Sequence, residues 1–148
     1  MLRSLYFLSF LLIAGSRGYA QNTQNYDSLK AKCEGPVFSL SEVMPDFKYG
    51  VRKFADSLKL YLQNNNAPPI TGSAKFELTI LRSGEIENVS LILTDIDDKN
   101  SIEIIEKALK GLSSQWLPGK QNGFLVCVYR RIGLNFSDKG ILVTLFKH

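Results

Sequence analysis

Residues 116–136 decide the fold, and they read WLPGKQNG followed by FLVCVYRRIGLNF. The first part marks a connection, because four of its residues are of types that break helices and central strands. These residues are Pro118, Gly119, Asn122 and Gly123. Trp116, the only tryptophan of the chain, directly precedes this connection. A ring of this size gains most by packing under a loop, so we expect Trp116 in the core.

The second part has the period of a β-strand, since side chains of alternate residues point to opposite faces of a strand. Val126, Val128 and Arg130 fall on one face, and Leu125, Cys127 and Tyr129 fall on the other. The same alternation continues through Ile132, Leu134 and Phe136. The pattern predicts one strand over residues 124–136, the longest of the chain.

Composition narrows the functional classes. The net charge of +4 includes Arg3 and Arg17 but no acid within the first twenty residues, so the remaining chain carries +2. That charge is too close to neutral to indicate a nucleic-acid partner. The only histidine is His148, which removes the commonest general base and zinc ligand from the interior. We therefore expect no catalytic, metal or cofactor site, and no enzyme.

The N-terminus predicts export. Arg3 gives a positive start, residues 5–14 are apolar, and Gly18 and Ala20 are small residues at the positions expected before a cleavage site. We interpret residues 1–20 as a signal peptide, residues 21–36 as a flexible leader and residues 37–148 as one domain. The alternative is an uncleaved anchor, but this apolar run is shorter than the roughly 20 residues that span a bilayer.

Between leader and long strand, the sequence predicts two helices and a hairpin. Residues 51–64 have helical periodicity, and a second helix opens at Asn100 or Ser101 and ends near Gly111. Residues 74–82 and 86–94 alternate as strands around a turn at Ser83 and Gly84. Further β-like runs lie at residues 37–44 and 141–146.

These elements predict an α+β fold of two layers. A right-handed crossover through the second helix places residues 124–136 beside residues 74–82. The expected sheet is three-stranded and antiparallel, with residues 74–82 in the middle (order 2-1-3) and both helices on one face. Residues 141–146 follow a short turn, so we expect them to pair with residues 124–136 as an extra C-terminal edge strand.

The ordered motifs resemble the TonB C-terminal domain family, in its Bacteroidetes-type periplasmic form, over residues 37–136. Residues 42–50, with Pro45 and Phe47, resemble the family's E-x-M-P-x-F-P-G-G entry to the first helix. Residues 71–86, with Gly84, resemble its hairpin. Residues 116–126 resemble W-x-P-G-x-x-N-G-x-x-V. Where the family has I-P-I, this chain has Gly133 between two apolar residues.

The resemblance implies a periplasmic, non-catalytic interaction module. Family members pair an edge strand with an extended peptide of an outer-membrane TonB-dependent transporter, which is β-augmentation. The residues that would supply this edge are Val126, Val128, Arg130 and Arg131. The alternative is a soluble adapter or homodimer, in which the same edge or the uncovered sheet face meets a second copy.

Two smaller sets of residues leave alternatives open. Cys33 and Cys127 are the only cysteines, and in an oxidising periplasm they could form a disulfide or remain unrelated thiols. The acids near Asp95 and Asp97 partly match an EF-hand loop, but Lys99 stands where an oxygen ligand is needed. We interpret these acids as neighbours of a helix N-terminus, where the helix dipole favours negative charge.

The export prediction can be checked on the mature protein. Cleavage after Ala20 would leave Gln21 as the first residue, because signal peptidase cuts after small residues. Intact-mass spectrometry of protein from the periplasmic fraction should give the mass of residues 21–148. Recovery of the full-length chain from the membrane fraction would contradict the prediction.

Overall fold

A computed structural model of the chain describes residues 33–146, so the predicted signal peptide and leader residues 21–32 lie outside the described residues. The helices are α1 (Gly50–Asn64) and α2 (Lys99–Gly111), followed by a 3-10 turn at Ser113–Gln115. The strands are β1 (Asp46–Phe47), β2 (Gly72–Ile80), β3 (Ile86–Thr94), β4 (Trp116–Leu117), β5 (Gly119–Gln121), β6 (Phe124–Val126), β7 (Val128–Ser137) and β8 (Gly140–Leu145).

The fold is α+β, as predicted, with two helices and antiparallel sheets. The main sheet has four strands in the order β3-β2-β7-β8, and every neighbouring pair is antiparallel. Its first three strands follow the predicted order, and β8 is the predicted C-terminal edge strand. The prediction of a two-layer sandwich with one sheet was nevertheless incomplete, because two small two-stranded sheets, β1-β4 and β5-β6, accompany the main sheet.

Both helices pack against the same face of the main sheet. Phe54, Leu58 and Leu62 form the buried stripe of α1, at the three- and four-residue spacing that keeps side chains on one helix face. The residues facing α1 and α2 from β2 are Ala74, Phe76, Leu78 and Ile80. The matching stripe of α2 is Ile102, Ile105, Ala108 and Leu109. The intervening residues of β2, such as Lys75, face the opposite side, which neither helix covers.

The second helix begins earlier than the sequence predicted. Asp98 is its N-cap, and the carboxylate accepts hydrogen bonds from the backbone N–H of Asn100 (3.2 Å) and Ser101 (2.9 Å). These bonds satisfy two donors that lack partners in the first helical turn. The predicted start at Asn100 or Ser101 was therefore two or three positions later than the actual cap, because these two residues are also of cap-forming types and lie close after Asp98.

The predicted long strand over residues 124–136 is two strands, which corrects that interpretation. Residues Phe124–Val126 form β6 and pair with β5 across a two-residue turn. Asn122 (φ 50°) and Gly123 (φ 78°) make this turn, as is usual for an Asn-Gly hairpin. The ladder with β2 starts only at Val128, opposite Ile80. Alternation of side chains continued through the break, so the sequence pattern did not reveal it.

The predicted β-like run over residues 37–44 is also not a strand. Phe38 and Val43 each make one isolated bridge, to Val128 and Lys120 respectively. The run therefore contributes single backbone contacts to two different elements. Pro45, at its end, is fully buried.

Trp116 lies in the core, as predicted, with 3% of its surface exposed. The pairing of β1 with β4 sets Phe47 opposite Trp116, and their ring centroids lie 4.2 Å apart. Phe54 of α1 completes the cluster, with its ring 3.9 Å from that of Phe47. These three aromatic side chains join the first helix to the segment that precedes the long strands.

Two glycines permit close approach at this end of the sheet. Gly84, in the β2–β3 turn, has φ 85°, and a Cβ there would lie 2.5 Å from the carbonyl oxygen of Trp116. A Cβ at Gly119 would lie 2.5 Å from Cγ2 of Val128. Any other residue at Gly84 would be strained and would collide with backbone, so this turn glycine also has a packing role.

Replacing Trp116 tests the aromatic cluster. Trp116→Ala should lower the free energy of unfolding by about 3–5 kcal/mol, the usual range for large-to-small changes in a core. Trp116→Phe should cost less, because Nε1 of Trp116 has no hydrogen-bond partner within residues 33–146. Urea denaturation followed by circular dichroism measures both values.

The neighbouring residue provides the matched control. Leu117 is 47% exposed, so Leu117→Ala should change stability by no more than about 0.5 kcal/mol, as surface substitutions usually do. A loss below about 1 kcal/mol for Trp116→Ala would contradict the burial of the ring.

Candidate protein-interaction site

The four residues that the resemblance implied as partner contacts do not form one surface. Val128 is fully buried and Arg130 is 7% exposed, and the register places them on the same sheet face as Ile80 and Leu78. Arg131 points to the opposite side, where its Nε lies 2.9 Å from Oε2 of Glu77. Val126 is half-buried on the separate strand β6. The alternation of a β-strand therefore distributes these side chains over different parts of the protein.

The outer backbone edge of β7 is covered along its length. At its start, Phe38 donates to the carbonyl of Cys127 and accepts from the N–H of Tyr129, both at 2.9 Å. In the middle, the N–H of Phe146 donates to the carbonyl of Arg131 at 3.2 Å. β8 pairs with the rest, from Ile132 to Ser137. This confirms the predicted pairing of the C-terminal strand with residues 124–136, so the edge that the family resemblance assigned to a peptide is occupied within the domain.

Arg130 holds the end of β8. Its Nη1 donates to the carbonyl oxygen of Phe146 at 3.1 Å. Burial lowers the pKa of Arg130, while the negative charge of Asp46 opposes that shift. A guanidinium remains charged even so, because its ordinary pKa lies far above neutral pH. The side chain that the resemblance assigned to a partner is thus used inside the domain.

Cys33 and Cys127 form a disulfide, with 6.1 Å between their Cα atoms. The bond holds the last part of the predicted leader next to the start of β7, so residues 33–36 are attached to the domain. Closing a loop over a sequence separation of 94 contributes up to about 4–5 kcal/mol in the chain-entropy account. Such bonds persist in oxidising compartments, so the disulfide indicates an extracytoplasmic location.

None of the helices in the described part of the chain is long and apolar enough to cross a bilayer.

The main sheet has two outer strands, β3 and β8, and β3 is the longer of them. Within residues 33–146, no strand pairs with its outer side. Leu91, Ile92 and Leu93 are 39%, 47% and 69% exposed along this edge. The register against β2 shifts twice, so Glu87 and Ile92 are the extra residues of two β-bulges. Bulges on an edge strand are one way in which natural proteins limit uncontrolled strand pairing.

The sequence carried a signal for this edge that the prediction did not use. Three consecutive apolar residues, 91–93, interrupt the alternation of the β3 segment. In a half-buried strand such a run must expose at least one large apolar side chain. The resemblance drew attention to residues 124–136 instead.

The acids that follow β3 already have hydrogen-bond donors. Asp95 accepts from the backbone N–H of Ser73 and, at 2.8 Å, from its hydroxyl, and these bonds lower the pKa of Asp95. The hydroxyl and backbone N–H of Ser101 likewise lower the pKa of Asp98. Within the described residues, no three His, Cys, Asp or Glu side chains are grouped closely enough to hold a metal ion. In this acidic segment Asp98 therefore caps the second helix, and Asp95 accepts hydrogen bonds from Ser73.

A scan of the chain against models of known protein families found no match, and neither did searches of curated proteins and of solved structures. The similarity of the sequence motifs to the TonB C-terminal domain therefore stays a prediction.

Removing β8 tests whether it keeps the edge of β7 unavailable. Deleting residues 140–148 should raise self-association, because it leaves unpaired backbone donors and acceptors on a long strand. Sedimentation velocity of the oxidised protein should show oligomers that the full chain does not form. A synthetic peptide of residues 140–148, added in trans, should reverse the association by pairing with the same edge.

Far-ultraviolet circular dichroism controls for folding, since the deletion also removes the buried side chain of Val143. A folded, truncated protein that stays monomeric and does not bind the peptide would show that β8 does not govern this edge.

Proposed function

We propose that this protein is a non-catalytic interaction module of an oxidising, extracytoplasmic compartment, and that it binds an extended peptide along β3. The observation that carries the proposal is the unpaired outer side of this nine-residue strand, with large apolar side chains exposed in its second half, at residues 91–93. Backbone groups along such an edge can accept another strand, and the neighbouring side chains then select its sequence.

Charge defines the kind of peptide that would fit. Glu85 and Glu87 lie at one end of β3, and Asp95, Asp97 and Asp98 follow the other end. An incoming strand would therefore meet acidic groups at both ends and apolar side chains, Leu91 to Leu93, between them. A peptide with an apolar centre and basic residues on both sides complements this pattern.

The same charges argue against pairing of two copies. Antiparallel pairing of β3 with itself would bring the start of one strand to the end of the other. Glu85 and Glu87 would then approach Asp95 and Asp97, and like charges across a strand pair are destabilising. A homodimer through this edge is thus the weaker candidate. Sedimentation velocity of the oxidised protein without peptide distinguishes a dimer from a monomer.

The family resemblance supports a more specific partner. In that family the bound segment belongs to an outer-membrane TonB-dependent transporter, and the compartment is the periplasm. Here β8 covers the strand that the resemblance pointed to, so we place the peptide on the opposite side of the sheet. A peptide bound to β3 would leave the hydrogen bonds of β8 intact.

Peptide selection tests this function. A phage library of random ten-residue peptides, selected against the oxidised protein, should yield apolar sequences with flanking basic residues. Their binding should slow amide hydrogen exchange in β3 and leave β7 unchanged. Ile92→Lys, which adds a charge in the middle of the edge, should weaken binding at least about tenfold, a change of roughly 1.4 kcal/mol.

Leu60→Lys is the matched control, because Leu60 is a 57% exposed leucine on α1, away from the edge. It should bind the selected peptides as the unchanged protein does. Peptides that protect β7, or that bind the Ile92→Lys variant equally well, would contradict the proposal.

A further inference from the structure

The sheet face opposite the helices contains an open groove with a volume of about 510 Å³. Lys75 lies at its middle, on β2, with Leu93 on the β3 side and Leu142 on the β8 side. Phe146 closes the end next to Arg131. This volume lies within the roughly 300–1,000 Å³ that is typical of small-molecule sites.

Gly133 creates the groove. In the register of the sheet it lies between Lys75 on β2 and Thr144 on β8. The ring of Phe146 rests against it, and a Cβ at this position would lie 2.9 Å from Cε2 of Phe146. A side chain here would displace the aromatic ring, so the glycine leaves room both for the ring and for the space beside it.

The centre of the groove carries a positive charge without a carboxylate partner. The Nζ atom of Lys75 lies 4.2 Å from the centroid of the Phe146 ring, a cation–π contact. Within residues 33–146 the only ion pair joins Arg131 and Glu77. Asp95, at the rim, is instead hydrogen-bonded to Ser73.

The walls beside this charge are apolar and open to solvent. Leu93 and Leu142 are 69% and 67% exposed, one on each side of Lys75. Covering both side chains would remove apolar surface from water, which stabilises a complex. An occupant would therefore gain from an apolar body and from one negative group placed at Lys75.

We propose that this groove binds a small amphiphile with a single anionic group and an apolar chain, of the class of medium-chain fatty carboxylates. The anionic group pairs with Nζ of Lys75, and the chain lies between Leu93 and Leu142. Leu93 borders both this groove and the edge proposed for peptides. The groove depends on Lys75 and the peptide site on the outer backbone of β3, so variants of Lys75 and of Ile92 test the two proposals independently.

Displacement of a fluorescent fatty acid tests the site. The probe is 11-(dansylamino)undecanoate, added to the oxidised full chain below its critical micelle concentration. Decanoate should displace it, and decyltrimethylammonium, which has the same chain but a positive head, should not. Thr144→Trp, an exposed substitution on the groove floor, should abolish probe binding by filling the space.

Three lysine variants isolate the charge. Lys75→Gln should weaken decanoate binding about tenfold, which corresponds to roughly 1.4 kcal/mol. Lys75→Arg should restore most of it, because the positive charge is retained. Lys107→Gln is the matched control, since this exposed lysine lies on α2, on the other face of the sheet.

Equal displacement by decanoate and decyltrimethylammonium would overturn the proposal, and so would unchanged binding in Lys75→Gln. A further overturning result is a dimer in sedimentation velocity that Lys75→Gln dissociates while decanoate has no effect. That outcome would identify the occupant of the groove as a second copy of the chain.

Discussion

The antiparallel pairing of β2 with β7 is the interaction on which the rest of the structure depends. It runs over nine consecutive residue pairs, from Gly72 opposite Phe136 to Ile80 opposite Val128. Because the register of a ladder decides which side chains share a face, this pairing places Phe76, Leu78 and Ile132 together under the helices. The same register places Lys75 next to Gly133 on the other face, where the groove lies.

Each strand of this central pair has a further strand on its outer side, β3 beside β2 and β8 beside β7. The outer side of β7 is covered by Phe38, Phe146 and β8, and the disulfide of Cys33 with Cys127 holds the first of these in position. Within residues 33–146 the outer side of β3 is not paired with a strand, and the strand carries two bulges, exposed apolar side chains and flanking acids. Unpaired backbone groups on an edge are available to a partner, so this contrast places the proposed peptide site on β3.

Arg130 and Arg131 show how neighbouring residues of one strand acquire separate roles. Arg130 is buried and donates to Phe146, whereas Arg131 is exposed and pairs with Glu77. Phe146 in turn covers Gly133 and lies under Lys75. The end of β8 therefore both covers the edge of β7 and forms one end of the open-face groove.

The sequence by itself determined the α+β class, both helices, the β2–β3 hairpin, the order of the first three strands, the C-terminal edge strand and the burial of Trp116. These features follow from local periodicity, turn-forming residues and chain connectivity, all of which can be read along the chain. The pairing of Cys33 with Cys127 was left open, because a sequence does not contain the distance between two Cα atoms.

Tertiary structure alone decided where the long strand breaks, which segment covers the start of β7 and what Arg130 contacts. Each of these depends on hydrogen bonds between residues distant in sequence, such as Phe38 with Cys127 and Arg130 with Phe146. Side-chain alternation passes through Cys127 without interruption, so period alone could not show that β6 turns to β5 while β7 joins β2. The groove over Gly133 also depends on tertiary structure. A glycine leaves a space on a sheet only where the neighbouring strands, here β2 and β8, place side chains around it.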